Sequence, residues 1–313
     1  MMISKETFKK TSDWMKRNAR PLEAARWDYL FNGNNKEGVM RVLQAYQNDD
    51  GGFGQGIEPD FWLPSSSSIA SWFAGQILLE VEASKDDEMV AALIDYLVDT
   101  CNRELGLWVT VLPENNDYPH APWWHWEENV QENWMYNPTA ELAGLLLYWS
   151  EEQSEAFLLA NEVLGQALRR LMEAEQMDFH EINNYQQLYK IISSKGASTT
   201  DRLSYTLDQI FTKISALIDD SVEKDISLWA TGYRPLPLTF AVSPEDPFYH
   251  TIDVDLIEAN LLFYRKQMND EGIWNIAWDW RQFPEEFPVA RRYWEGIQAI
   301  NRYKIIKSFH WLE

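Results

Sequence analysis

A turn of acidic or polar residues, then glycine or another small residue, then an aromatic ring, recurs along this chain and constrains its fold more than any other feature. Its fullest copy is QNDDGGFGQGIEPD at 47–60, where Leu43 and Tyr46 end an apolar-periodic segment ahead of Gln47, Asp50, Gly51, Gly52 and Phe53. The same order returns in LLFYRKQMNDEGIW (261–274). NRELGLW (102–108) and KDISLW (224–229) keep the small residue, one spacer and Trp108 or Trp229. MDFHEI (177–182) is a degenerate form with Phe179 in the aromatic place. The rings stand about fifty to seventy residues apart, the length of two helices and a loop.

Between these turns the periodicity is helical and β-branched alternation is scarce. LPSSSSIASWFAGQILLEV (63–81) places Ser66, Ala70 and Ala74 four apart, a small-residue stripe for close helix packing. Asn137-Pro138 reads as an N-cap followed by proline in the first helical position, leading into TAELAGLLLYW. Segments 86–101, 153–173 and 199–219 are charged and amphipathic, as outer helices are. The more apolar 65–82, 137–149 and 286–303 read as inner helices. No linker divides the chain, so residues 1–313 are expected to form one all-α domain of roughly ten to twelve helices. Pairing each outer helix with an inner one around a ring gives an α/α toroid, which needs no capping repeats.

Composition narrows the function. The chain carries a formal charge of −22 and sixteen tryptophans. An acidic chain is a poor partner for nucleic acid or anionic membrane, both of which need basic surface. The N-terminus has no continuous apolar core, so no signal peptide is expected. The longest apolar run, LAGLLLYW (142–149), is too short to span a bilayer. The lone Cys101 excludes an internal disulfide framework. These features predict a soluble, cytoplasmic protein, and they point to no partner protein. P-loop, dinucleotide, zincin and nucleophile-elbow patterns are absent, so no cofactor is indicated.

QNDDGGF resembles the repeat of protein prenyltransferase β subunits, and the glutamine–glycine–aromatic order is similar to the QW repeat of squalene–hopene cyclases. Both belong to the terpenoid cyclase and prenyltransferase superfamily of α/α toroids with a central cavity. DGGFGQGIEPD, with APWW and NPTAELAGLL beyond it, also resembles bacterial members of that superfamily to which no reaction is assigned. The resemblance implies that the glycine-aromatic turns are structural corners. Gln47 is expected to bond free amides of the next helix.

The resemblance also frames the candidate site. Prenyltransferases hold zinc through a D-x-C pair opening an inner helix, but the matching place here reads Asp60-Phe61-Trp62. Asp99-Thr100-Cys101 has the spacing but ends an outer helix, so no metal site is assembled. Class II cyclases protonate an alkene with D-x-D-D. Asp253-Val254-Asp255-Leu256 keeps two of those acids, with Asp255 in the protonating place and Asp253 assisting. Acids in a helix's first turn also favour the dipole, and two residues apart they point nearly opposite ways. Glu58 and Asp60 form the part of the opening turn that does not recur. The loop from Asp117 to Trp126 supplies Trp123, Trp124 and two histidines, His120 and His125, as stacking and acid–base groups. Trp278 and Asp279 come from the C-terminal aromatic cluster.

The catalytic candidates are therefore Glu58, Asp60, Asp255 and His125, with Trp123, Trp124, Asp253, Trp278 and Asp279 as ligand-binding candidates and no metal. Three functions compete. One is a cyclase-like protein holding an apolar, isoprenoid-like ligand. Another is a carbohydrate-active enzyme with paired carboxylates, and the last is a non-catalytic binding scaffold.

Overall fold

The computed structural model describes residues 2–196 and 200–313. Among them the chain is all-helical, as expected: thirteen α-helices, two of them single turns, with isolated bridges and no strand. No helix among the described residues is long and apolar enough to cross a membrane. The helices group into two compact units, Gln44–Ser221 and Met1–Leu43 together with Val222–Glu313.

The unit Gln44–Ser221 contains α4 (Ser68–Glu80), α5 (Glu88–Thr100), α6 (Gln131–Trp134), α7 (Thr139–Trp149), α8 (Glu155–Glu173), α9 (Phe179–Ser194) and α10 (Leu207–Ser221). The expected segment 199–219 starts at Thr199, outside the described residues. Helix α7 packs against α8 and α9 and also meets α4 and α5. Ten of its eleven residues are buried, the pattern of a helix surrounded on all sides. Helix α8 instead buries one stripe, Phe157, Ala160, Leu164, Ala167 and Leu171, and leaves its other face wet.

Two expectations at helix starts change. Asn137 is not the N-cap of α7, which starts at Thr139. The Asn137 side-chain oxygen instead accepts from the Asn184 amide of α9 at 3.1 Å, and its carbonyl accepts from the Thr110 hydroxyl at 2.7 Å. Ser66 lies outside the small-residue stripe, ahead of α4. Its hydroxyl donates to Asp50 at 2.6 Å, while Ser67 caps the helix by accepting from the Ala70 N–H.

The opening turn is a structural corner. Asn48 N–H donates to the Gly52 carbonyl and Gly51 N–H to the Asn48 carbonyl. Gly51 has φ +84°, and a Cβ there would stand 2.2 Å from the Ala92 carbonyl oxygen of α5. Any side chain meets both a left-handed backbone and a clash. Phe53 is fully buried behind it. Gln47 does not bond free amides. Its Nε2 donates to the carbonyls of Gly51 and Met89, each at 2.9 Å.

The second unit contains α1 (Lys5–Asn18), α2 (Pro21–Asn32), α3 (Glu37–Leu43), α11 (Pro237–Phe240), α12 (Val254–Gln267) and α13 (Phe287–Ser308). Its core joins Trp14, Trp27, Trp274, Ile300 and Tyr303. Trp27 and Trp274 meet the Tyr303 ring edge-on at 5.1 and 5.6 Å. The turn at 269–273 closes with the same bonds as the one at 48–52, Asn269 N–H to the Ile273 carbonyl and Gly272 N–H to the Asn269 carbonyl. Gly272 has φ +79°, and a Cβ there would meet the Thr11 hydroxyl at 2.3 Å.

Phe53→Ala should lower the unfolding free energy by about 3–5 kcal/mol, because a full ring leaves a cavity in a packed interior. Gly51→Ala should also destabilise. Urea denaturation checks both, and an unchanged midpoint for Phe53→Ala would contradict the buried corner.

Candidate functional site

Five of the expected residues, Glu58, Asp60, Trp123, Trp124 and His125, lie in the unit Gln44–Ser221. The segment after the glycine corner folds back on itself, with Glu58 accepting from the Asp60 N–H at 2.7 Å. It then pairs with the aromatic loop: Ala121 N–H donates to the Asp60 carbonyl at 2.7 Å, and Trp62 N–H to the Pro119 carbonyl at 2.9 Å. Phe61 and His120 form the bridge between them. Glu58, Asp60 and His120 are all buried as a result.

The two histidines are linked. His120 Nδ1 lies 2.6 Å from the Tyr118 carbonyl oxygen and its Nε2 lies 3.1 Å from His125 Nδ1. A carbonyl only accepts, so His120 Nδ1 carries the proton. When the ring carries that one proton, Nε2 is the acceptor and His125 Nδ1 the donor. The ring centroids are 5.3 Å apart with 22° between planes, the spacing of imidazoles joined edge to edge. His125 itself is exposed. Trp124 is buried between Phe61, at 5.3 Å, and Trp134, stacked at 4.4 Å. Trp123 is 38% exposed.

The remaining candidates belong to the unit containing Val222–Glu313. Asp253 caps α12, its side chain accepting from the Asp255 N–H at 2.9 Å, and both carboxylates are exposed. That capping accounts for the pair without a ligand. Asp279 accepts from the Arg281 N–H at 2.6 Å and is exposed. Trp278 meets Trp294 edge-on at 5.3 Å and Tyr233 at 5.2 Å. The indole N–H groups of Trp278 and Trp294 and the Gln298 side-chain oxygen are buried with no partner among the described residues.

Cys101 is buried, which pushes its thiol up to about 11. No group of three or more His, Cys, Asp or Glu among the described residues is placed to hold a metal ion.

The residue that sequence reasoning missed is Glu141. It lies on α7 at 2% exposure, where its carboxylate accepts from Trp72 Nε1 at 2.7 Å and Gln76 Nε2 at 3.1 Å. Trp72 and Gln76 stand one turn apart on α4, each half-buried. Burial raises the Glu141 carboxyl from 4.5 to about 7, against the two hydrogen bonds and the Lys190 charge, which favour the anion. The signal was present in the sequence: Glu141 is the one charge in TAELAGLLLYW, a helix otherwise apolar on every side. Glu181, also raised by burial, has a structural role, joining Arg170 to the Tyr136 N–H.

No protein-family model matches the chain, and neither a curated protein nor a solved structure matches it.

A raised acid costs stability at neutral pH. The unfolded chain releases the Glu141 proton from pH 4.5 upward, whereas the folded chain holds it to about 7. Stability from this group is therefore full below 4.5, falls as pH rises to about 7, and is flat beyond. The loss is about 3 kcal/mol. Glu141→Gln should remove that slope and gain on the parent between pH 5 and pH 8, as read by urea denaturation at both values. Parallel losses in both proteins would contradict it.

Proposed function

We propose that this chain is a terpenoid-cyclase- or prenyltransferase-like protein that binds and processes a small apolar, isoprenoid-like ligand, with Glu141 as its acid–base group. The observation that carries the reading is the buried Glu141 carboxyl on an otherwise apolar helix. A group that titrates near neutral pH can both give and take a proton there, the condition for efficient general acid–base catalysis. Strongly shifted carboxyls gather at functional sites, where burial is tolerated for its chemistry. The Trp72 ring offers an apolar face beside it, and its N–H and the Gln76 amide fix the carboxylate's orientation. Such an acid suits a hydroxyl or carbonyl oxygen and is too weak for an unactivated alkene. An isoprenoid alcohol therefore fits better than a bare polyene. The glycine-aromatic turns with matching hydrogen bonds at 48–52 and 269–273 support the family resemblance.

A second reading, carbohydrate binding, draws on Trp278, Trp294 and Gln298. Two unpaired indole donors and an unpaired amide oxygen are the groups that sugar hydroxyls satisfy. Hydrolysis of a glycoside would further need a second carboxylate facing Glu141. The charged group that bears on Glu141 is instead Lys190, a cation.

Native mass spectrometry of the purified protein, alone and with added farnesol, should show a one-to-one adduct. Glu141→Gln should keep the adduct and abolish turnover of the bound alcohol. No adduct with farnesol, together with one for a neutral oligosaccharide, would replace this reading with the second.

A further inference from the structure

The loop at 109–136 contains no Lys or Arg, although the chain carries 27 of them elsewhere. It does contain Glu114, Asp117, Glu127, Glu128 and Glu132, all exposed and none in an ion pair among the described residues. Tyr118, Trp123 and Trp126 of the same loop are 38%, 38% and 36% exposed.

The loop is held rigidly. Asn116 pins its two arms together, accepting from the Trp126 N–H at 2.8 Å and donating to the Trp126 carbonyl at 3.0 Å. Asn115 donates to the Trp124 carbonyl at 3.3 Å, and the buried Trp124 stacks on the half-buried Trp134 at the base. The Asn116–Trp126 pairing therefore joins the segment that continues into Asp117 to the one that continues into Glu127 and Glu128. Two further polar atoms in the loop, Trp124 Nε1 and Asn115 Oδ1, are buried without a partner among the described residues.

We propose that the surface formed by residues 113–128 docks a Lys- or Arg-rich segment of a partner protein. The chemistry of both components points to a cation. Indole faces attract ammonium and guanidinium groups through the ring quadrupole, and carboxylates accept their N–H groups in charge-assisted bonds. Exposed tryptophans held by a fixed backbone lose little entropy on binding, as interface anchors should. Carboxylates and rings are spread along both arms of the loop, so several cations are met at once. A segment of chain supplies that spacing, whereas a single small cation does not.

The test is fluorescence anisotropy of a labelled peptide of alternating Arg and Gly against the full chain, in about 0.15 M salt to screen long-range attraction. The wild type should bind it and ignore a Glu–Gly counterpart. Asp117→Asn/Glu127→Gln/Glu128→Gln should weaken binding by about tenfold or more, and Trp123→Ala/Trp126→Ala by a similar factor. A control removing three exposed acids elsewhere, Glu173→Gln/Glu175→Gln/Asp220→Asn, should change it less than about twofold. The carboxamide variants preserve side-chain shape, so they decide the matter even if the tryptophan variant is less stable. The proposal is overturned if the Arg–Gly peptide fails to bind, or if the control triple weakens binding as much as the loop triple, which would mean that net charge alone attracts it. Unchanged affinity in a folded Trp123→Ala/Trp126→Ala variant overturns it equally.

Discussion

A helix ends with carbonyls that have no partner inside it, and at two corners of this protein the ring after the turn supplies one. The indole N–H of Trp108 donates to the Leu97 carbonyl in the last turn of α5 at 2.9 Å, and that of Trp274 to the Tyr264 carbonyl in the last turn of α12 at 2.6 Å. Each bond lets a large ring be buried while its polar atom stays satisfied. The ring fills space behind the corner, so the chain must turn tightly, and glycine follows from that demand. At the first corner the ring is Phe53, which has no donor, and Gln47 supplies amide N–H groups instead. Different residues meet one requirement: the polar backbone exposed by a sharp turn must be paired before apolar surface can cover it.

That requirement explains what the sequence displayed and what it concealed. Helical periodicity and glycine-aromatic order are local, and they located α4, α7 and α13 within a few residues. Asn48 and Asn269 are equally important, since each heads its turn, yet asparagine in a polar loop carries no distinctive signal. Asn137 misled for a related reason. Its amide can cap a helix or reach another helix, and only the position of Asn184 determines which. Of the site residues, Glu58 and Asp60 stood out because they depart from the recurring turn. Asp253 and Asp255 resembled a motif, but their spacing is also that of a capped first turn. Glu141 was overlooked inside an apolar run that read as core, although a lone carboxyl in such a run needs an explanation.

The surroundings of Glu141 are balanced between opposing effects. Burial favours the neutral acid, and Trp72, Gln76 and Lys190 favour the anion. Neither state is dominant at neutral pH. A purely structural position would resolve that contest with a direct ion pair, as Arg20 and Glu23 do in the other unit, where the guanidinium grips the carboxylate with two bonds of 2.5 and 3.0 Å. Two buried glutamates in one chain thus show the difference between a charge that is neutralised and one that is held ready. Neighbouring side chains, more than depth of burial, set them apart.

The buried Cys101 has a practical consequence. Thiolate, not thiol, reacts with alkylating reagents and oxidants, and a thiol pushed to about 11 is almost entirely protonated under ordinary conditions. Because it is the chain's single cysteine, the folded molecule behaves toward such reagents as though it had none. A cysteine introduced at any exposed position would then be the one reactive handle. Spectroscopic probes could be attached singly and without removing a native residue, and the slow appearance of Cys101 reactivity would itself time the opening of α5.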